Sequence, residues 1–93
     1  MTMTVKDPAT RIDYAFDWSA AYPAGQAVTD SDWDVAPDEA GGVAVAAAAH
    51  GLLQTTATLT GGVAGRVYRV TNRVTLSDGQ VDERSMSVRV EER

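Results

Sequence analysis

Apolar residues recur at every second position along most of this chain, the period of a strand with one dry and one wet face. Over residues 11–18, Ile12, Tyr14, Phe16 and Trp18 fall on one face and Arg11, Asp13, Ala15 and Asp17 on the other. Residues 27–35 repeat the pattern, with Trp33 and Val35 opposite Asp30, Asp32 and Asp34. Residues 53–60 alternate Leu53, Thr55, Ala57 and Leu59 with Gln54, Thr56, Thr58 and Thr60. Over residues 67–76, Tyr68, Val70, Asn72, Val74 and Leu76 oppose Arg69, Thr71, Arg73 and Thr75. In residues 81–91, Met86, Val88 and Val90 oppose Ser85, Ser87 and Arg89. Asp78-Gly79 lies between these last two segments and predicts a tight hairpin, because glycine accepts the positive φ such turns require. The alanine-rich residues 43–49 favour helix by propensity, but they are too few for a stable helix between Gly42 and His50-Gly51 and have strands as neighbours. They too are read as a strand.

Proline and glycine separate the segments: Pro23 and Gly25, Pro37 to Gly42, and Gly61-Gly62 to Gly65. Six strands without a helix predict an all-β, antiparallel β-sandwich. Leu59, a glycine-rich loop and then Tyr68-x-Val70-x-Asn72 have the spacing of immunoglobulin-like and fibronectin-III-like sandwiches. There a structural corner tyrosine bonds to the backbone of the preceding loop. The plainer alternative makes Tyr68 a core aromatic at the start of a strand. Residues 1–10 contain Pro8 and show no alternation, so they are read as an N-terminal arm, loosely held over 1–7. Residues 11–93 are read as a single β-sandwich domain.

Composition narrows the function more than the fold. Of 93 residues 44% are hydrophobic, but 15 are alanine, so the core is modest. A domain of this size buries only about two thirds of its unfolded surface and gains when a partner covers more. With no cysteine, disulfide and thiolate chemistry are excluded. Thirteen acidic against eight basic residues, a net charge of -5, argue against tracking a phosphate backbone. No stretch has the apolar length of a membrane span, and the opening residues lack the apolar run of a signal peptide, so the chain is expected to stay in the cytoplasm until something assembles it.

No set of residues forms a convincing catalytic, cofactor or metal site. His50 is the only histidine, sits beside Gly51 in an expected turn, and has no oriented partner to make it a base. Gly61, Gly62 and Gly65 lead into a strand, where no helix dipole favours a phosphate. Asp30, Asp32 and Asp34 have the alternation of a calcium loop, but Val35 and Gly41 stand where that loop needs glycine and glutamate, and a strand's wet face fits better. Asp82-Glu83-Arg84 reads as a charged sheet edge that blocks unwanted pairing. Trp18 and Trp33 read as core residues facing each other across the sheets. Asp30, Asp32, Asp34, Asp82, Glu83 and Arg84 are the candidate polar interface residues.

Lys6-Asp7-Pro8, Ile12-Asp13-Tyr14, Asp17-Trp18-Ser19, Gly61-Gly62, Tyr68-Arg69-Val70-Thr71 and Asp82-Glu83-Arg84-Ser85 together resemble the phage fibre-tail adaptor proteins of tailed bacteriophages and prophages. Residues 38–55 contribute nothing to the resemblance. It implies a non-enzymatic, immunoglobulin-like virion protein without a cofactor, present in several copies. Its partners would be a phage fibre protein and a tail or neck protein, with no nucleic acid and no membrane. The rival readings are a capsid decoration or head-tail joining protein, and a carbohydrate-binding module, which would need Trp18, Trp33 or Tyr22 exposed in a groove.

Overall fold

The computed structural model describes residues 2–92. Seven strands follow in order: β1 (Thr2–Lys6), β2 (Ile12–Asp17), β3 (Val28–Ala36), β4 (Ala44–His50), β5 (Gln54–Thr60), β6 (Val67–Leu76) and β7 (Val81–Val90). They form a four-stranded sheet in the order β1-β7-β6-β3 and a three-stranded sheet in the order β2-β5-β4. All pairings are antiparallel except β1 on β7. The all-β sandwich read from the alternation is therefore the fold, and the alanine-rich segment is a strand. The hairpin at Asp78-Gly79 joins β6 to β7, with Gly79 at φ 89°.

One difference concerns position in the sheets. Residues 2–6, read as part of an arm, pair with β7 from Thr2 opposite Met86 to Lys6 opposite Val90. The alternation of Met3 and Val5 with Thr2, Thr4 and Lys6 is inverted there, because β1 is a short outer strand that presents Met3 and Val5 to solvent and buries Lys6. It is anchored at Lys6, which is fully buried and whose Nζ donates to the carbonyls of Asp7 (3.0 Å), Thr10 (2.8 Å) and Gly61 (2.7 Å). Burial lowers the Lys6 pKa, and the charge of Asp7 opposes the shift. Asp82-Glu83-Arg84, read as an edge, lies in β7 before the pairing with β1 begins at Met86, so this stretch has β6 on one side and no strand among the described residues on the other. His50 ends β4, exposed, where a turn was expected.

Inner-facing residues make two apolar clusters. One contains Val43, Leu59, Tyr68, Val70, Met86, Val88 and Val90; the other contains Trp18, Tyr22, Val28, Val74 and Leu76. Each full burial of a Val or Leu side chain contributes about 1.5–3 kcal/mol. Phe16 packs against both clusters. Between them a buried polar chain crosses from one sheet to the other. Trp18 Nε1 donates to Thr55 Oγ1 (3.1 Å), Thr55 Oγ1 to Asn72 Oδ1 (2.6 Å), and Asn72 Nδ2 to Ser31 Oγ (2.9 Å) and the Asp32 carbonyl (3.0 Å). Buried polar groups must be paired, and here the pairing also fixes the register between the sheets.

The glycine-rich loop before β6 is shaped by close approach. Gly61 and Gly62 have φ of 74° and 116°. A Cβ at Gly61 would lie 2.7 Å from the Gly42 carbonyl oxygen, and one at Gly62 would lie 2.6 Å from Val90 Cγ2. The loop can therefore lie directly on the other Gly-Gly pair and on the end of β7.

Candidate interaction surface

The period of two decides where each candidate residue lies. On the outer face of the four-stranded sheet, cross-strand rows run Asp30–Thr75–Val81, Asp32–Arg73–Glu83 and Asp34–Thr71–Ser85. The next row is Ala36–Arg69–Ser87–Met3. The sequence-predicted Asp30, Asp32, Asp34 and Glu83 thus share one surface. Asp82 and Arg84 do not, because the same alternation turns them to the opposite face of β7.

There both residues hold the loop between β2 and β3. The Tyr22 hydroxyl donates to Asp82 Oδ2, and this bond, followed by burial, raises the Tyr22 pKa. Arg84 stacks its guanidinium 4.3 Å from the centroid of the Trp18 ring and donates to the Asp17 carbonyl. Asp17 in turn accepts the Ser19 N–H at 2.9 Å, the main cause of its lowered pKa. The sequence patterning treats Asp82-Glu83-Arg84 as one charged unit; in the structure it divides into one surface residue and two that brace a loop.

The shared surface contains a shallow depression of about 430 Å³ lined by Asp32, Asp34, Arg69, Thr71, Arg73 and Glu83, among others. Thr71 Oγ1 and Ser85 Oγ, bonded at 2.8 Å, make a low floor between longer side chains. Arg73 pairs with Glu83 at 3.6 Å, with both side chains more than half exposed. An exposed pair of this kind contributes at most about 1 kcal/mol. Asp30, Asp32 and Asp34 form no ion pair among the described residues. Arg69, Thr71, Arg73 and Ser85 were not among the candidate interface residues read from the sequence. Their signal was present as the polar half of the alternation in β6 and β7, but it acquires meaning only once β3 is known to lie beside β6.

Tyr68 is fully buried; its hydroxyl accepts the Val63 N–H at 3.0 Å and donates to Glu39 Oε1 at 2.6 Å. Burial, and then Glu39, raise its pKa. The tryptophans do not face each other as expected. Trp18 is fully buried, whereas Trp33 is half-buried and stacked on Phe16 with centroids 5.5 Å apart. Phe16 also meets Trp18 edge-on at 6.4 Å and so stands between them. Trp18 and Tyr22 are buried, so of the three aromatics the carbohydrate reading needs, only the half-buried Trp33, stacked on Phe16, reaches the depression.

Among the described residues no three His, Asp or Glu side chains gather to hold a metal ion. The surface chemistry is that of polar protein contact: carboxylates, guanidinium groups and hydroxyls on a rigid sheet. No curated protein matches the chain in sequence. The family model described as podophage GP4 fiber-tail adaptor protein gp77 does match, over residues 6–89, a span that includes β2 to β6, β7 up to Arg89 and every residue named on the described surface except Met3. By that match the chain belongs to the podophage GP4 fiber-tail adaptor family, whose members are structural proteins of the phage tail.

Proposed function

We propose that this protein joins a tail fibre to the tail or neck of a podophage virion as a non-enzymatic structural part, in several copies per particle, after assembly in the host cytoplasm. The observation that carries the proposal is the family match over residues 6–89. The strand order, β1-β7-β6-β3 facing β2-β5-β4, and the bonding of Tyr68 to the preceding loop support an immunoglobulin-like form of the sandwich. In this role residues 11–93 act as the single sandwich domain and residues 1–10 as its N-terminal arm, of which Thr2–Lys6 pairs with β7 in the isolated chain. Asp30, Asp32, Asp34 and Glu83 supply polar contacts on the outer face. Asp82 and Arg84 contribute indirectly by fixing the loop between β2 and β3.

A small core gains stability from covered edges, and repetition of modest contacts around a tail makes the joint durable even when a single pair binds weakly. Co-expression with the fibre protein, and separately with the tail and neck proteins, followed by size exclusion and mass photometry, tests the proposal. Stable co-migration with a fibre and with a tail or neck protein is expected. Binding to neither would refute it.

A further inference from the structure

We infer that residues 2–10 form a detachable strap, and that the edge it leaves on β7 takes the strap of a second copy of this chain. The inference goes beyond the adaptor reading and does not need it, because every contact involved is one the chain makes with itself.

β1 is held differently from the other strands. Its pairing with β7 is the single parallel one among the described strands, and parallel pairs are slightly weaker per residue. Neither apolar cluster, nor the residues packed against it, includes a residue of the strap. Met3 and Val5 are 57% and 37% exposed, and within Met3–Lys6 only Lys6 is buried. Residues 81–85 of β7, just ahead of the pairing, have β6 on one side and no described strand on the other, so no neighbouring strand clamps the start of the strap. A segment with so little apolar burial opens locally, below the free energy of global unfolding.

Much of the strap's bonding is internal. The Asp7 carbonyl accepts the Thr10 N–H at 3.1 Å and Thr10 Oγ1 at 2.8 Å, and Asp7 Oδ1 accepts the Ala9 N–H at 2.8 Å. Two of the three carbonyls around Lys6 Nζ, those of Asp7 and Thr10, also belong to the strap. The bonds described to the rest of the molecule are the β7 ladder, the Glu91 N–H donated to the Lys6 carbonyl at 3.0 Å, and Lys6 Nζ donated to the Gly61 carbonyl. The receiving site is braced without the strap: the Gly65 N–H donates to the Val90 carbonyl at 2.8 Å, and the Val90 N–H to the Arg66 carbonyl at 2.9 Å.

The exchange therefore preserves the bonding. A buried ammonium must keep its acceptors; Asp7 and Thr10 travel with Lys6, and the neighbouring copy supplies its own Gly61. The exposed Arg11 alone separates the strap from β2, which starts at Ile12 in the other sheet, so rotation about residues 10–12 redirects the whole unit. Swapping an identical element is a low-cost route to association. With the same contacts made either way, the local concentration of copies decides which strap occupies β7.

The test exploits the lack of cysteine, since a disulfide then reports only the pair introduced. Val5 lies opposite Arg89, and both side chains face solvent. Full chains carrying Val5→Cys and Arg89→Cys, differing in size by a tag, are mixed at high concentration and oxidised. Mixed disulfide dimers should exceed by about tenfold those from Val5→Cys with Ala48→Cys, an exposed position on the other sheet. Adding Lys6→Met to the Val5→Cys chain should speed their formation about threefold or more, because the same anchor holds the strap closed. Hydrogen exchange on the unmodified chain gives a reading that no substitution disturbs. The Thr4 and Lys6 amides should exchange about a hundredfold faster than the slowest amides of β6, at a rate insensitive to low denaturant. No excess of mixed dimers, a rate that Lys6→Met leaves unchanged, or exchange of Thr4 and Lys6 only through global unfolding would each overturn the inference.

Discussion

Replacing Tyr68 with phenylalanine removes a single oxygen from the interior and affects two other elements. The oxygen accepts from Val63 in the glycine-rich loop and donates to Glu39 in the connection between β3 and β4. Loss of an ordinary backbone hydrogen bond costs about 1 kcal/mol. The bond to Glu39 is charge-assisted, and in a dry site its loss would cost about 1.5–3 kcal/mol. Here the Glu39 side chain is 24% exposed and Arg66 Nε lies 3.5 Å away, so water and the guanidinium recover part of that. The two effects together give roughly 2 kcal/mol for Tyr68→Phe. For a domain near this size about 4–8 °C of Tm accompanies each kcal/mol, so the midpoint should fall by roughly 8–16 °C. Urea unfolding followed by tryptophan fluorescence, with an unchanged m-value, measures the loss. A cycle with Glu39→Gln apportions it, and the coupling between the two sites should be about 1 kcal/mol. A Tm within 2 °C of the parent, the equivalent of about half a kcal/mol or less, would show that the phenol does not hold the two connections together.

Thr55→Val leaves Trp18 Nε1 and Asn72 Oδ1 without their partner in the interior, and should cost about 2–4 kcal/mol in the same denaturation assay. Gly62→Ala adds a Cβ where Val90 already lies and does so at positive φ. It should destabilise by about 2–4 kcal/mol, and a small effect would show that the loop does not rest on β7. Tyr22 and Tyr68 have raised pKa values, so their contribution is fully present below the usual phenol value near 10.0 and is lost as pH rises through the folded-state values. Tyrosinate absorbance should therefore show these two phenols ionising late, with unfolding; early, reversible ionisation of either would contradict the bonding described for it.

Much of this structure was legible as alternation. Five of the strands follow from which residues can be dry together, β4 follows from its length and neighbours, and burial of Tyr68 followed from its place at the start of β6. Alternation says nothing about neighbours, and the misreadings arose there. β1 carries no apolar inner stripe; it is held by parallel pairing and by the three carbonyls around Lys6, one of which belongs to a loop 55 residues away. Thr55 and Asn72 look like ordinary strand residues until the sandwich brings them face to face. Asp82-Glu83-Arg84 looked like one cluster because adjacency in sequence is conspicuous, whereas in a strand adjacent side chains point to opposite faces. Whether β3 or β7 is an edge is a property of the sheet, which no single segment contains.

The position of the protein in the particle tests the adaptor reading most directly. Cryo-electron microscopy of assembled virions, with an epitope tag and a bound antibody fragment marking this chain, would locate every copy. The account predicts density confined to the junction between fibre and tail or neck, in contact with both. Density spread over the capsid and absent from that junction would contradict the adaptor role and favour capsid decoration.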